Sequence, residues 1–201
     1  MTKRSLSLTL AATLTTLLAS ADARAESIIK NPGDHPSYKL ELEPHLVLGW
    51  GHLYHGNGFG VGARFSIPIV DNGFIKSINN SVAIGFGLDW LRYGDCYYYD
   101  RRGREVVGYG CGASYFVFPV VMQWNFWLTP NWSVFGEPGL YVYHGVWDDY
   151  CAPGFLGCAH PTRTSVDLAL YLGGRFHFNE KIALAMRLGY PTSSVGLSIL
   201  F

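Results

Sequence analysis

The sequence predicts an all-β fold, an eight-stranded antiparallel up-and-down transmembrane β-barrel. Three observations carry that reading. Apolar residues alternate with small or polar ones in segment after segment along the chain. The segments have the length of roughly 9 to 11 residues that a tilted membrane strand needs. Their number is even, which leaves both ends of the chain on one side of the membrane.

Residues 1–25 stand outside the fold. Lys3 and Arg4 precede an apolar, Thr-rich stretch, and Ala23-Arg24-Ala25 closes it with the small-x-small pattern of a signal-peptidase site. The stretch is short for a membrane span of about 20 residues, so cleavage before Glu26 is expected rather than anchoring. Residues 26–37 then form an N-terminal periplasmic segment, and 38–201 the barrel.

The first strand, 38–50, sets Leu40, Leu42, Leu46 and Leu48 outward against Glu41, Glu43 and His45 inward. The second, 58–69, sets Phe59, Val61, Phe65 and Ile67 against Gly60, Gly62, Arg64 and Ser66. The third, 81–91, sets Val82, Ile84, Phe86, Leu88 and Trp90 against Ala83, Gly85, Gly87 and Asp89. Strands at 114–128 and 132–143 alternate less cleanly, and Gln123, Asn125 and Glu137 mark their polar sides. The last three are the cleanest. In 166–178, Val166, Leu168, Leu170, Leu172, Phe176 and Phe178 oppose Asp167, Ala169, Tyr171, Gly173, Arg175 and His177. In 181–190, Ile182, Leu184, Met186, Leu188 and Tyr190 oppose Ala183, Ala185, Arg187 and Gly189. In 194–201, Val195, Leu197, Ile199 and Phe201 oppose Ser194, Gly196, Ser198 and Leu200.

A water-soluble β-sandwich also alternates, but its outer faces are rich in Lys, Glu and Thr. Here the second face is Gly, Ala and Ser with a few charges, which suits the crowded inside of a narrow barrel. The Leu, Val, Ile and Phe face suits lipid. Aromatics sort into two expected girdles: Trp50, Phe59, Trp90, Tyr115, Tyr143 and Tyr190 at one level, and Tyr38, Trp124, Trp127, Trp132, Phe178 and Phe201 at the other. Long connections at 92–113 and 144–164 alternate with tight turns at 129–131 and 179–180, so the long ones are read as extracellular. The connection 70–80 is long for a periplasmic turn, and the outer turn at Pro191 is short.

The chain carries 15 Lys plus Arg and 15 Asp plus Glu. Cleavage removes three of the former and one of the latter, leaving 12 against 14. No basic surplus remains to displace counterions from phosphates, so nucleic acid is not expected as a partner. Four cysteines, Cys96 with Cys111 and Cys151 with Cys158, fall in the two long connections and fit disulfides in an oxidising compartment. Three connectivities are open, and pairing within each cluster is the simplest.

On the signal peptide, the strand count, the turn pattern and the Ile199-Leu200-Phe201 end, residues 38–201 resemble the small eight-stranded outer-membrane barrels of the OmpA and OmpX type. The resemblance implies a location in the bacterial outer membrane, with lipid and the barrel-insertion machinery as partners. It also implies that Tyr190, Leu197, Ile199 and Phe201 act as an assembly signal. No separate periplasmic domain is expected after Phe201.

Inside such a barrel Glu43, Arg64, Asp89, Glu137, Asp167, Arg175 and Arg187 would meet in a partly dehydrated lumen, where unpaired ions are costly. They are expected to form an ion-pair plug, with a gate or narrow ion path as the alternative. Outside, Tyr97, Tyr98 and Tyr99 with Arg101 and Arg102 are residue types that anchor binding surfaces. His52, His55, His144 and His160 match no closed zinc spacing, so no metal or other cofactor is expected. Lipid-modifying barrel enzymes pair a histidine with Ser or Asp at the rim. His144, Asp148, Asp149 and Ser165 are the nearby candidates, but no motif sets a nucleophile beside its base. The expectation is a non-enzymatic barrel with a structural or loop-mediated binding role toward an unidentified extracellular ligand. A narrow porin-like channel is the first alternative, and a lipid-modifying enzyme the second.

Overall fold

In the computed structural model the described residues are 26–50, 57–94, 96–99, 105–108, 112–147 and 162–201. Eight strands, β1 (Glu41–Trp50), β2 (Asn57–Val70), β3 (Asn80–Tyr93), β6 (Ala113–Thr129), β7 (Trp132–Trp147), β8 (Thr162–His177), β9 (Ile182–Tyr190) and β10 (Thr192–Leu200), close into one antiparallel barrel. Each strand pairs with its neighbours in sequence, and β10 returns to β1 with Glu41 opposite Leu200 and Gly49 opposite Thr192. Closure leaves no ladder edge in hydrocarbon, where an unpaired backbone group costs several kcal/mol. The long connection after β3 holds its own hairpin, β4 (Cys96–Tyr99) with β5 (Glu105–Gly108), in a stretch read from sequence as loop. Its Tyr and Val residues are strong strand formers.

Burial follows the alternation. The outward side chains of β8 and β9 are among the most exposed in the chain, Leu168 and Leu172 at 68% and Leu188 at 66%. Among the described strand residues that face outward, Arg92 is the sole charged one. A wall of this kind is solvated by lipid. It is also uneven: β6, β7 and β8 are 17, 16 and 16 residues long, whereas β9 and β10 are 9 each, joined at Pro191. The upper half of β8 therefore rises above its partner, since the pairing of β8 with β9 begins only at Leu170.

Several aromatics sit differently from the two-girdle expectation. Trp50, Phe59 and Trp90 near the long connections, and Trp132, Phe178 and Phe201 near the termini, do face outward and exposed. Tyr115 and Trp127 are buried inside the barrel at 1% exposure, and Tyr143 packs against the same interior. They share the inward parity of Gln123, Asn125 and Glu137 on β6 and β7, so the ladder turns them in. Tyr190 ends its strand, where alternation is no longer enforced, and its ring packs on the interior Tyr141. Val82, expected outward, is fully buried. It lies between Val70 and Trp124, and Phe74 from the 71–79 connection packs edge-on against Trp124. That long connection folds back on the outer wall.

The end of the barrel where β1 begins and β10 ends is closed by residues 26–40. Ile28 N–H donates to Leu128 O at 3.0 Å, Asn79 N–H to Ile29 O at 2.7 Å and Lys39 N–H to Phe201 O at 2.6 Å. His35 stacks flat on Trp127, with centroids 5.2 Å apart and planes 11° from parallel. The turn that brings the segment across uses Gly33 at φ +82°, the left-handed region a side chain disfavours. Burial, with the Glu41 carboxylate nearby, raises the pKa of the Tyr38 hydroxyl above the usual phenol range.

Candidate functional site

The lumen has two floors of different chemistry. In the half nearer the termini, every arginine is held by carboxylates. Arg175 meets Glu41 in a fork, Nε to Oε1 at 2.8 Å and Nη2 to Oε2 at 2.9 Å, and its Nη1 donates to Asn125 Oδ1 at 2.8 Å. Ser198 Oγ also donates to Glu41. Arg187 joins two acids, donating to Glu43 at 2.6 and 3.1 Å and to Glu137 at 2.8 and 3.1 Å. Glu137 further accepts from Arg64 at 3.1 Å and from Gln123 at 2.8 Å. The Phe135 ring lies under both Arg175 and Arg187, at 4.3 and 5.0 Å from the ring centre. Charge-assisted, forked contacts of this kind fix side chains as well as neutralising them.

Asp89 completes the set with His45. His45 Nε2 lies 2.8 Å from Asp89 Oδ1 and its Nδ1 lies 3.0 Å from the Glu43 carbonyl oxygen. The ring thus bridges the β1 backbone and the carboxyl group on β3. In the ladder His45, Gly62 and Asp89 are consecutive across β1, β2 and β3. A Cβ on Gly62 would come within 2.3 Å of Asp89 Oδ1 and 2.6 Å of His45 Nε2. The glycine is what lets the pair join over the middle strand.

Above the ions the lumen is packed with rings and aliphatics. Tyr93, Tyr115, Tyr141 and Tyr171 are at most 1% exposed, with Val47, Leu91, Val117, Val121 and Ala169 between them. Tyr93 and Tyr115 meet edge to face at 5.5 Å, and Tyr115 meets Trp147 at 5.6 Å. Tyr141 touches both Tyr143 and Tyr190 at 5.9 Å. Tyr143, Trp147 and Tyr190 are half-buried and end the stack toward the long connections.

Six of the seven lumen charges read from sequence are thus brought together, and Asp167 is not among them. It shares its face of β8 with Arg175 but lies eight residues along the strand, about 26 Å away. There it is exposed, opposite Tyr141 in the ladder, accepting from Tyr190 OH at 3.3 Å and from the Leu168 N–H at 2.7 Å. The sequence reading left out of the network Glu41, His45, Gln123, Asn125 and Ser198, all of which its inward parity could have added. It placed Tyr115, Tyr143 and Tyr190 in a girdle and gave Tyr93, Tyr141 and Tyr171 of the buried layer no role.

The other candidates lie as follows. Leu197 and Phe201 are exposed on the outward face and Ile199 is half-exposed there, whereas Tyr190 turns inward. Tyr97, Tyr98 and Tyr99 form most of β4, opposite Val107, Val106 and Glu105. Their side chains, the side chain of Cys96, and Arg101, Arg102, Cys111, Cys151 and Cys158 lie outside the described residues, as do His52, His55, Asp148, Asp149 and His160. His144 bonds Thr164 at 2.8 Å on the outward side. Ser165 takes the opposite parity, so the two point to different faces and form no nucleophile and base. Among the described residues no three His, Cys, Asp or Glu are grouped to hold a metal ion.

No protein-family model matches the sequence, and no curated protein matches it. Solved structures do match the fold. The attachment invasion locus protein Ail of Yersinia pestis, crystallised with the heparin analogue sucrose octasulfate, aligns at TM-score 0.50 and 11% identity, covering 81% of this chain and 96% of that one. Neisserial surface protein A aligns at TM-score 0.51 and 14% identity, again over 81% and 96%. The fold is that of the small eight-stranded outer-membrane barrels. At these identities the likeness concerns architecture alone, and the interior just described is this chain's own.

Proposed function

We propose that this chain is an integral protein of the bacterial outer membrane, exported through a cleaved signal peptide, whose barrel is a sealed pedestal for binding at the cell surface. The observation that carries the reading is the double closure of the lumen. An ion-paired network fills one half and a layer of buried tyrosines the other, and residues 26–40 lie across the lower mouth. Such an interior favours rigidity over passage, and it leaves the chemistry of the long connections, Tyr97, Tyr98, Tyr99, Arg101 and Arg102 among them, as the part that meets the outside. Two of the three connections at the terminal end are short, those after β6 and β8, and the longest connections, after β3 and β7, lie at the other end, which fits the orientation with the termini in the periplasm. The apolar side chains of Leu197, Ile199 and Phe201, free on the outer wall, suit recognition by the insertion machinery.

A non-enzymatic role fits the placement of His144, whose described partner, the Thr164 hydroxyl at 2.8 Å, lies with it on the outward wall and not at the lumen. The test is conductance of the detergent-refolded mature chain in a planar bilayer. Flat traces are expected across the usual voltage range. Stepwise channel openings would overturn the sealed-pedestal reading in favour of solute passage.

A further inference from the structure

Asp167 is the lumen-facing carboxylate that the ion network leaves over. Among the described residues it has no cationic partner, and Arg163, on the same face of β8, is four residues up the strand, about 13 Å away. What surrounds it is aromatic. Tyr141 is its cross-strand neighbour, Tyr190 donates a hydroxyl to it at 3.3 Å, and Tyr143 adjoins Tyr141 at 5.9 Å. Asp167 is exposed while Tyr143 and Tyr190 are half-buried, so the carboxylate and the two rings are open toward the long connections above a sealed floor.

We propose that Asp167, Tyr143 and Tyr190 form a site for an alkylated ammonium group, the head of a choline-like ligand. The electron-rich faces of tyrosine rings attract a large, weakly hydrated cation, and the carboxylate beside them gives that cation its counter-charge. An exposed carboxylate alone would prefer water. Rings alone would take any apolar group. The combination selects charge and bulk together. The Tyr190 hydroxyl holds one oxygen of Asp167 and the Leu168 N–H holds the other, so the carboxylate is oriented before a ligand arrives. This inference rests on the reading of the barrel as a surface binder and names the chemistry of one site within it.

The test uses the detergent-refolded mature chain in a non-ionic maltoside, followed by amide NMR shifts of Tyr141, Tyr143, Asp167 and Tyr190. The probes are choline, its neutral isostere 3,3-dimethylbutan-1-ol, and vesicles bearing phosphocholine headgroups. Choline is expected to shift these residues saturably, and the neutral isostere to fail. Asp167→Asn should weaken choline binding by about tenfold or more, and Tyr143→Leu should weaken it as well. Response to free choline but not to vesicles points to a soluble ligand, and response to both to a headgroup; either supports the site. Equal binding of the neutral isostere, no response of the wild-type chain to choline, or unchanged affinity in Asp167→Asn would overturn it. Those failures leave the sealed-pedestal reading standing, since that reading falls to channel openings and not to a missing ammonium response.

Discussion

The inward face of β8 runs from Asp167 through Ala169, Tyr171 and Gly173 to Arg175 and His177, and its two ends live in different solvents. At the lower end Arg175 is 2% exposed, forked onto Glu41 and stacked on Phe135. At the upper end Asp167 is open, touched by a tyrosine hydroxyl and a backbone amide. The same strand, parity and lumen hold one charge that is fully spent on structure and another that is not. The contrast teaches that facing inward does not make a residue part of the plug. Height along the strand decides, because charges more than a few ångströms apart in a packed interior are separated by whole layers of side chains.

The sharpest way to break the contrast is to remove a cation from the lower half. Arg187→Ala would leave Glu43 buried without its arginine and Glu137 with Arg64 and Gln123 alone, a change that typically costs about 3–5 kcal/mol. The compact, heat-modifiable species on a gel should be lost at a much lower temperature than in the wild type. An unshifted transition would show that Arg187 is not what holds those acids in the barrel. A smaller effect is expected one layer up. Gly62→Ala puts a methyl between His45 and Asp89, within 2.6 Å of both. The pair must part or the strands must move, and a loss of about 1–3 kcal/mol is expected. The imidazole resonances of His45 should report the parting directly, and their persistence unchanged would contradict the bridging geometry.

Most of the barrel was legible in the sequence because a membrane imposes one rule on each strand: apolar out, small or polar in. Leu168, Leu170 and Leu172 obey it so plainly that strand, face and lipid contact follow together. Reading failed where that rule stops acting. Tyr190 sits at a strand end, Val82 lies under a connection that folds back, and the extra length of β7 and β8 stands beyond their apolar stretch. The ion network was legible as a set of inward charges. Its pairing was not, because Arg187 reaches Glu43 and Glu137 across the lumen, and sequence spacing says nothing about that reach. Trp127 and Tyr115 were misplaced by favouring a girdle over parity, although Gln123 and Asn125 on the same strand fixed the parity.

The gentlest change separates structure from binding. Asp167→Asn keeps the size and the hydrogen-bond acceptor for Tyr190 while removing a charge that no described cation needs. Its effect on stability should stay within about 0.5 kcal/mol, as for surface substitutions away from special features. The melting of the compact species should therefore coincide with the wild type, in contrast to Arg187→Ala. A loss comparable to that of Arg187→Ala would mean that Asp167 belongs to the structural network after all, with a cation supplied from the long connections. Coincident melting together with lost choline response would instead assign the upper carboxylate to the ligand, and make the two ends of β8 a division of labour between holding the barrel and using it.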